Sequence, residues 1–291
     1  GYRALKDVQS AQKNVALGYE ALEANLDSHY NTAIGTYALK NYTGVGHNSA
    51  DGATAVGYNA LGNAVNSVYA TAVGYGAGQN VTGHYPTVFG YLCGADMGTG
   101  ANMAFGVQAA RYVTGSGNCA FGYLAMKGTN GATYAANGYN CAFGNETMED
   151  LTSGDRNVAV GRYSLHALTS GDDNTGCGAG TLYSLTTGEY NVGLGSHVGG
   201  AITSGSNNVI IGGLSGNVTT GVSNIVVGKS TASNIVDGGH NIAMGSNAMY
   251  GLRTSYNTVL GYRAGYGGSG ALANTTHFNG YNVIIGHEAG Y

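Results

Sequence analysis

An asparagine, three apolar or small residues and a glycine recur along the whole chain, as in Asn208-Val209-Ile210-Ile211-Gly212. The block returns as NVALG ending at Gly18, NTAIG at Gly35, NVAVG at Gly161, NVGLG at Gly195, NIVVG at Gly228 and NVIIG at Gly286. Successive motif glycines lie mostly 16 or 17 residues apart, and thirteen of sixteen units carry the asparagine; Ala53, Ala70 and Pro86 replace it elsewhere. A unit of that length is too short for a pair of helices. It suits two short strands and two turns, which make one coil of a solenoid. The pattern therefore predicts an all-β fold: a parallel β-solenoid or β-roll of about 17 coils of 16–17 residues, as one repeat region over 1–291.

Within the block the period is two, as a strand requires. Positions one and three after the asparagine share a face. The third position is apolar throughout, from Leu17 and Ile34 through four successive phenylalanines, Phe89, Phe105, Phe121 and Phe143, to Ile285. This column is expected to fill the inside of the coil, with the phenylalanines stacking from rung to rung. The middle position faces the other way and also avoids polar groups: Ala16, Ala33, Ala55, Ala72, Ala104, Ala120, Ala142, Ala159, Ile210, Val226, Ala243 and Ile284. An outer strand face should be polar. Small apolar residues there predict burial against a second copy of the chain, that is, an oligomer with this column as its interface.

After each glycine comes a looser segment ending in a small residue and often leucine, such as Tyr58-Asn59-Ala60-Leu61 and Arg162-Tyr163-Ser164-Leu165. Polar turns return the chain, for example TSGDRN at 152–157 and TTGEYN at 186–191. Glycine supplies positive φ in such turns, and Ser, Thr, Asn and Asp bond their own backbone. Asparagines on successive rungs are placed to form an amide ladder. Three units carry insertions, at 41–52, 127–139 and 266–281. Solenoid insertions project as loops from one face, often the binding face. They make His47, Asn48, Tyr134, Asn137, His277 and Phe278 candidate surface-contact residues.

Composition narrows the function. The 291 residues include 53 glycines, 23 tyrosines, one proline and no tryptophan, with 9% charged residues against a usual value of about 25%. A net charge of −4 without a basic cluster gives no electrostatic case for nucleic acid. No apolar run is long enough for a transmembrane helix, and no signal peptide opens the chain. The sequence starts and stops within a repeat, which reads as an excerpt of a longer protein whose targeting and terminal domains lie outside it.

The NTAIG and NVAVG blocks, followed by x-x-Ala-Leu and a TSG or TTG turn, resemble repeats of bacteriophage tail fibres. They are also similar to the head repeats of trimeric autotransporter adhesins, which form a left-handed parallel β-roll as a homotrimer. The resemblance covers the full chain. A 16–17-residue unit with the asparagine one place nearer the glycine departs from the adhesin pattern and favours the fibre reading. What the resemblance implies is a trimeric structural segment of a virion tail fibre, partnered by itself, by other fibre or tail domains and by a host-surface glycan or protein. A bacterial surface adhesin is the alternative, and a polysaccharide-degrading tailspike a third.

Candidate chemistry adds little. Cys93, Cys119, Cys141 and Cys177 occupy small or apolar slots without C-x-x-C spacing, so core thiols are expected, although Cys119 and Cys141 share a column in adjacent units. The eight histidines show no H-x-H or H-E-x-x-H spacing, so no metal is expected. Carboxylates cluster at Glu20/Glu23/Asp27, Glu146/Glu149/Asp150 and Asp172/Asp173, where solvent-exposed turns account for them. No catalytic residue and no cofactor is assigned. Tyrosines recur just after the glycine and just before the asparagine, where they shield rung edges or offer an apolar face with a polar tip to sugars.

Overall fold

The structure is a computed structural model, and its described residues are 1–42, 52–64, 67–98, 100–130, 138–216, 220–233, 238–250, 254–266 and 280–290. They form two compact units, Gly1–Ser153 and Gly154–Tyr291. The first holds β1 (Val15–Leu17), β2 (Thr32–Ile34), β3 (Thr54–Val56), β4 (Thr71–Val73), β5 (Thr87–Phe89), β6 (Met103–Phe105), β7 (Cys119–Phe121) and β8 (Cys141–Phe143). The second holds β9 (Val158–Val160), β10 (Thr175–Cys177), β11 (Val192–Leu194), β12 (Val209–Ile211), β13 (Ile225–Val227), β14 (Ile242–Met244), β15 (Thr258–Leu260) and β16 (Val283–Ile285). Every strand is the three-residue centre of one motif. Within each unit the strands pair in sequence order, parallel and in register, so Val209 lies beside Val192 and Ile210 beside Gly193. The fold is the parallel β-solenoid that the repeat implies. Its coils are fewer than the seventeen expected from the motif glycines.

The rungs are joined by a fixed set of bonds. The first strand residue donates to the asparagine carbonyl of the next rung, as Val15 to Asn31 at 2.8 Å, and each motif glycine donates back, as Gly35 to Leu17 at 2.8 Å. The asparagines form the expected ladder inside the coil. Asn191 is fully buried. Its Nδ2 donates to the Gly205 carbonyl at 2.8 Å and to Asn174 Oδ1 at 3.0 Å, while its Oδ1 accepts from Asn208 N–H and Nδ2 at 3.1 and 3.0 Å. In the second unit the ladder runs unbroken from Asn157 to Asn282. Proline is tolerated at position 86 because the rung before it has Ala70, which offers no amide oxygen for an N–H to reach.

The motif glycine is set by two constraints at once. Gly178 has φ +134°, and a Cβ there would lie 2.2 Å from the Gly195 carbonyl oxygen of the next rung. Neither the backbone angle nor the contact admits a side chain. Beyond the glycine the chain turns through alternate left-handed residues. His197 and Leu182 are examples, with φ of +52° and +51°, a conformation that non-glycine residues seldom adopt. Rung-to-rung bonds hold it: His197 N–H reaches the Ala179 carbonyl and Leu182 N–H the Val198 carbonyl, both at 2.8 Å. Small hydroxyls tie the same turn, with Thr181 donating to the Gly195 carbonyl at 2.5 Å.

The core reverses the expected faces. The middle column is inside the coil: Ala33, Ala55, Ala72, Ala104, Ala120, Ala142, Ala159, Ile210, Val226 and Ala243 are fully buried within one chain, Ile284 is nearly so, and Ala16 is half-buried. They pack against Ala-Leu or Ala-Met pairs after the glycine, such as Ala21/Leu22, Ala60/Leu61 and Ala125/Met126, all fully buried. The column is therefore core and not an interface between copies. The third-position column is outside, with Leu17 63%, Ile211 37% and Ile285 63% exposed. The physical reason is the period of two counted from the asparagine. Asn and the middle residue share a face, and the amide ladder has to be sheltered from water. A coil this thin also admits alanine, valine or glycine opposite a leucine, but not stacked phenylalanines.

Candidate functional site

The outer strand face is the feature that the coil does not explain for itself. Positions one and three of each strand point out of the core and are largely apolar. In the second unit Val158, Val160, Leu194, Ile211, Ile225, Ile242 and Met244 are all at least 37% exposed. In the first unit Val15, Leu17, Ile34, Met103 and Phe143 are exposed on the same face. Phe89, Phe105, Phe121 and Phe143 stack as expected, with centroids 4.6–4.8 Å apart and planes within 8°. They do so on the outside and not inside the coil. A stripe two columns wide and eight rungs long is on the order of 400 Å² in each unit, since rungs are about 4.8 Å apart. Contiguous apolar patches above a few hundred Å² mark sites of association.

Tyrosines line the stripe. Tyr2, Tyr19, Tyr37, Tyr58, Tyr75 and Tyr91, one residue after the motif glycines or, for Tyr37, two, form one ladder with centroid spacings from 4.8 to 5.6 Å. Rings also stack just before the asparagine slot, with Tyr69 on Tyr85 at 5.8 Å ahead of Ala70 and Pro86, and His240, Tyr256 and Tyr281 at 4.9 Å steps ahead of asparagines. Their rings cover rung edges and remain partly exposed.

The other candidates separate into core and surface. Cys93 is buried, and burial pushes its thiol up to about 12. Cys119 and Cys141 face outward, half-buried and adjacent in register, and Cys177 is exposed; for these three the core assignment is corrected, because they occupy positions one and three of their strands. Burial first, then the neighbouring Cys141, raises the Cys119 thiol. Among the histidines, His84, His197, His240 and His287 are exposed, and His29 and His166 are half-buried.

Several turn carboxylates are paired with cations, while oxygens of Glu146 and Glu149 lie within 4.8 Å of a His166 ring nitrogen. Glu20 lies 2.7 Å from Lys40 Nζ and 3.6 Å from Arg3. The Lys40 hydrogen bond holds the Glu20 carboxyl below the usual carboxylate range. Asp173 accepts two bonds of 2.8 Å from the Arg156 guanidinium, which lower its pKa likewise. Glu149 pairs with Lys127 at 3.1 Å. The loop residues His47, Asn48, Tyr134, Asn137, His277 and Phe278 lie outside the described residues.

No family model, no curated protein and no solved structure matches the chain. Among the described residues, no helix is long and apolar enough to cross a membrane.

Proposed function

We propose that this chain is a structural segment of a trimeric viral tail fibre, three copies burying their outer strand faces against one another to carry host-attachment elements. The observation that carries the reading is the exposed apolar stripe. Each copy has a complete core of its own, so the large residues outside it are not needed to close the coil. They are the residues a second packing layer requires. Over the two units the stripe amounts to on the order of 800 Å² per protomer, the scale of a standard stable interface on one partner. Its narrowness suits convergence of three copies on a common axis, which is also the arrangement implied by the resemblance to the adhesin head. A glycine after every strand, an internal amide ladder and ion pairs such as Arg156–Asp173 suit a mechanically stiff element. Host contacts would then come from the inserted loops or the tyrosine edges.

Antibodies raised against the chain test the assignment. Labelling of tail appendages on intact phage particles is the expected result. Labelling of the outer surface of uninfected bacteria would move the protein to the adhesin class, and shortened polysaccharide after incubation with the purified chain would make it an enzyme.

A further inference from the structure

One rung of the second unit lacks the side chain that its neighbours carry. Two residues after the motif glycine, the described rungs place a left-handed residue, which in the second unit is a side-chain-bearing one everywhere but at Gly180. Tyr163, Gly180 and His197 occupy this place on consecutive rungs, linked by Gly180 N–H to Arg162 carbonyl and His197 N–H to Ala179 carbonyl bonds of 2.8 Å. The position before Gly180 is Ala179, where many rungs have tyrosine. A methyl group at 179 and no side chain at 180, where the His197 ring leans over the backbone, border a cavity of about 370 Å³ lined by Arg162, Tyr163, Ala179, Gly180, Tyr183 and His197. Pockets that hold small ligands begin near this size.

The walls are specific. The exposed Arg162 guanidinium lies 4.4 Å from the Tyr163 ring centroid and donates to Tyr163 Oη at 2.9 Å. Among the described residues it has no carboxylate partner, unlike Arg156 and Arg263. Tyr183 stands edge-on to Tyr163 at 6.1 Å and stacks on His166 at 5.1 Å, so its ring is held from two sides. Ser196 Oγ lies 2.8 Å from His197 Nδ1, leaving Nε2 beside Gly180, where a Cβ would meet it at 3.3 Å.

We propose that this slot binds a single carboxylated six-membered sugar ring. The apolar faces of a pyranose pack on the tyrosine and histidine rings, its hydroxyls bond His197 Nε2 and Tyr163 Oη, and its carboxylate takes the unpaired charge of Arg162. The site lies within one chain and needs no second copy, so it stands or falls apart from the fibre assignment.

Saturation-transfer NMR on the full chain, titrated with methyl glucuronide, methyl glucoside and phenylacetate, tests it. The glucuronide is expected to bind at least tenfold more tightly than the glucoside. Arg162→Gln should reduce it to the glucoside level. Gly180→Asn should abolish binding of both while the circular dichroism spectrum is unchanged, because Asn59 and Asn247 occupy the equivalent left-handed place on other rungs. Equal affinity for the two glycosides overturns the acidic-sugar assignment. Binding of phenylacetate without the glucuronide overturns the sugar class, and no binding, or binding unaltered by Gly180→Asn, overturns the site.

Discussion

At the residue scale, stability rests on two positions that the motif repeats. The motif glycine has no alternative, because its φ and the next rung's carbonyl both exclude a Cβ. Gly178→Ala is expected to destabilise the chain by about 3 kcal/mol or more, read as a lower denaturation midpoint. The asparagine ladder is the second. Asn191→Ala removes the acceptor for Asn208 N–H and the donor to the Gly205 carbonyl, both inside the coil. Buried groups left unsatisfied cost about 1–3 kcal/mol each, so a loss of about 3 kcal/mol is expected. Charges in the turns matter less. Glu20 and Asp173 have lower pKa values folded than unfolded. Their contribution is present in full above the ordinary carboxylate range and is lost as pH falls through their folded values. The denaturation midpoint should therefore decline as the medium is acidified below about pH 4, and Asp173→Asn should flatten that decline. A flat profile in the parent chain would contradict the assignment.

At the element scale, the coil and its register were legible in the sequence, while the direction of its faces was not. The regular spacing of Gly161, Gly178, Gly195 and Gly212 determines a solenoid without further information. Which side of Val209-Ile210-Ile211 faces inward depends on where Asn208 points, because residues two apart share a face. Hydrophobicity alone ranks Phe105 and Ile211 as core over Ala104, and that ranking misleads in a coil too thin to hold them. The left-handed leucines at 61, 165 and 182 were equally hidden. Leucine carries no turn signature, and only the inter-rung bonds make that geometry tolerable. The slot at Gly180 was visible only as a glycine where other rungs have a side chain, which a glycine-rich chain disguises. The corrected faces change what a substitution does. Ala120 is fully buried within its own coil, so Ala120→Asp is expected to unfold the chain and not merely to part its copies; a folded monomer of that variant by circular dichroism would contradict the core assignment.

At the scale of the whole molecule, the central claim is that the outer apolar face is covered by other copies. Leu194 and Ile225 are exposed on that face and contribute nothing to the coil's interior. Leu194→Asp combined with Ile225→Asp should leave the strand signal intact while separating the copies, since charge at the centre of an apolar contact is strongly disfavoured. Sedimentation equilibrium of the parent chain tests the claim most directly. Three copies of a 29.4 kDa chain give about 88 kDa, with dissociation to the single-chain mass in the double variant. A parent chain that sediments as a folded, stable 29.4 kDa monomer would contradict the account.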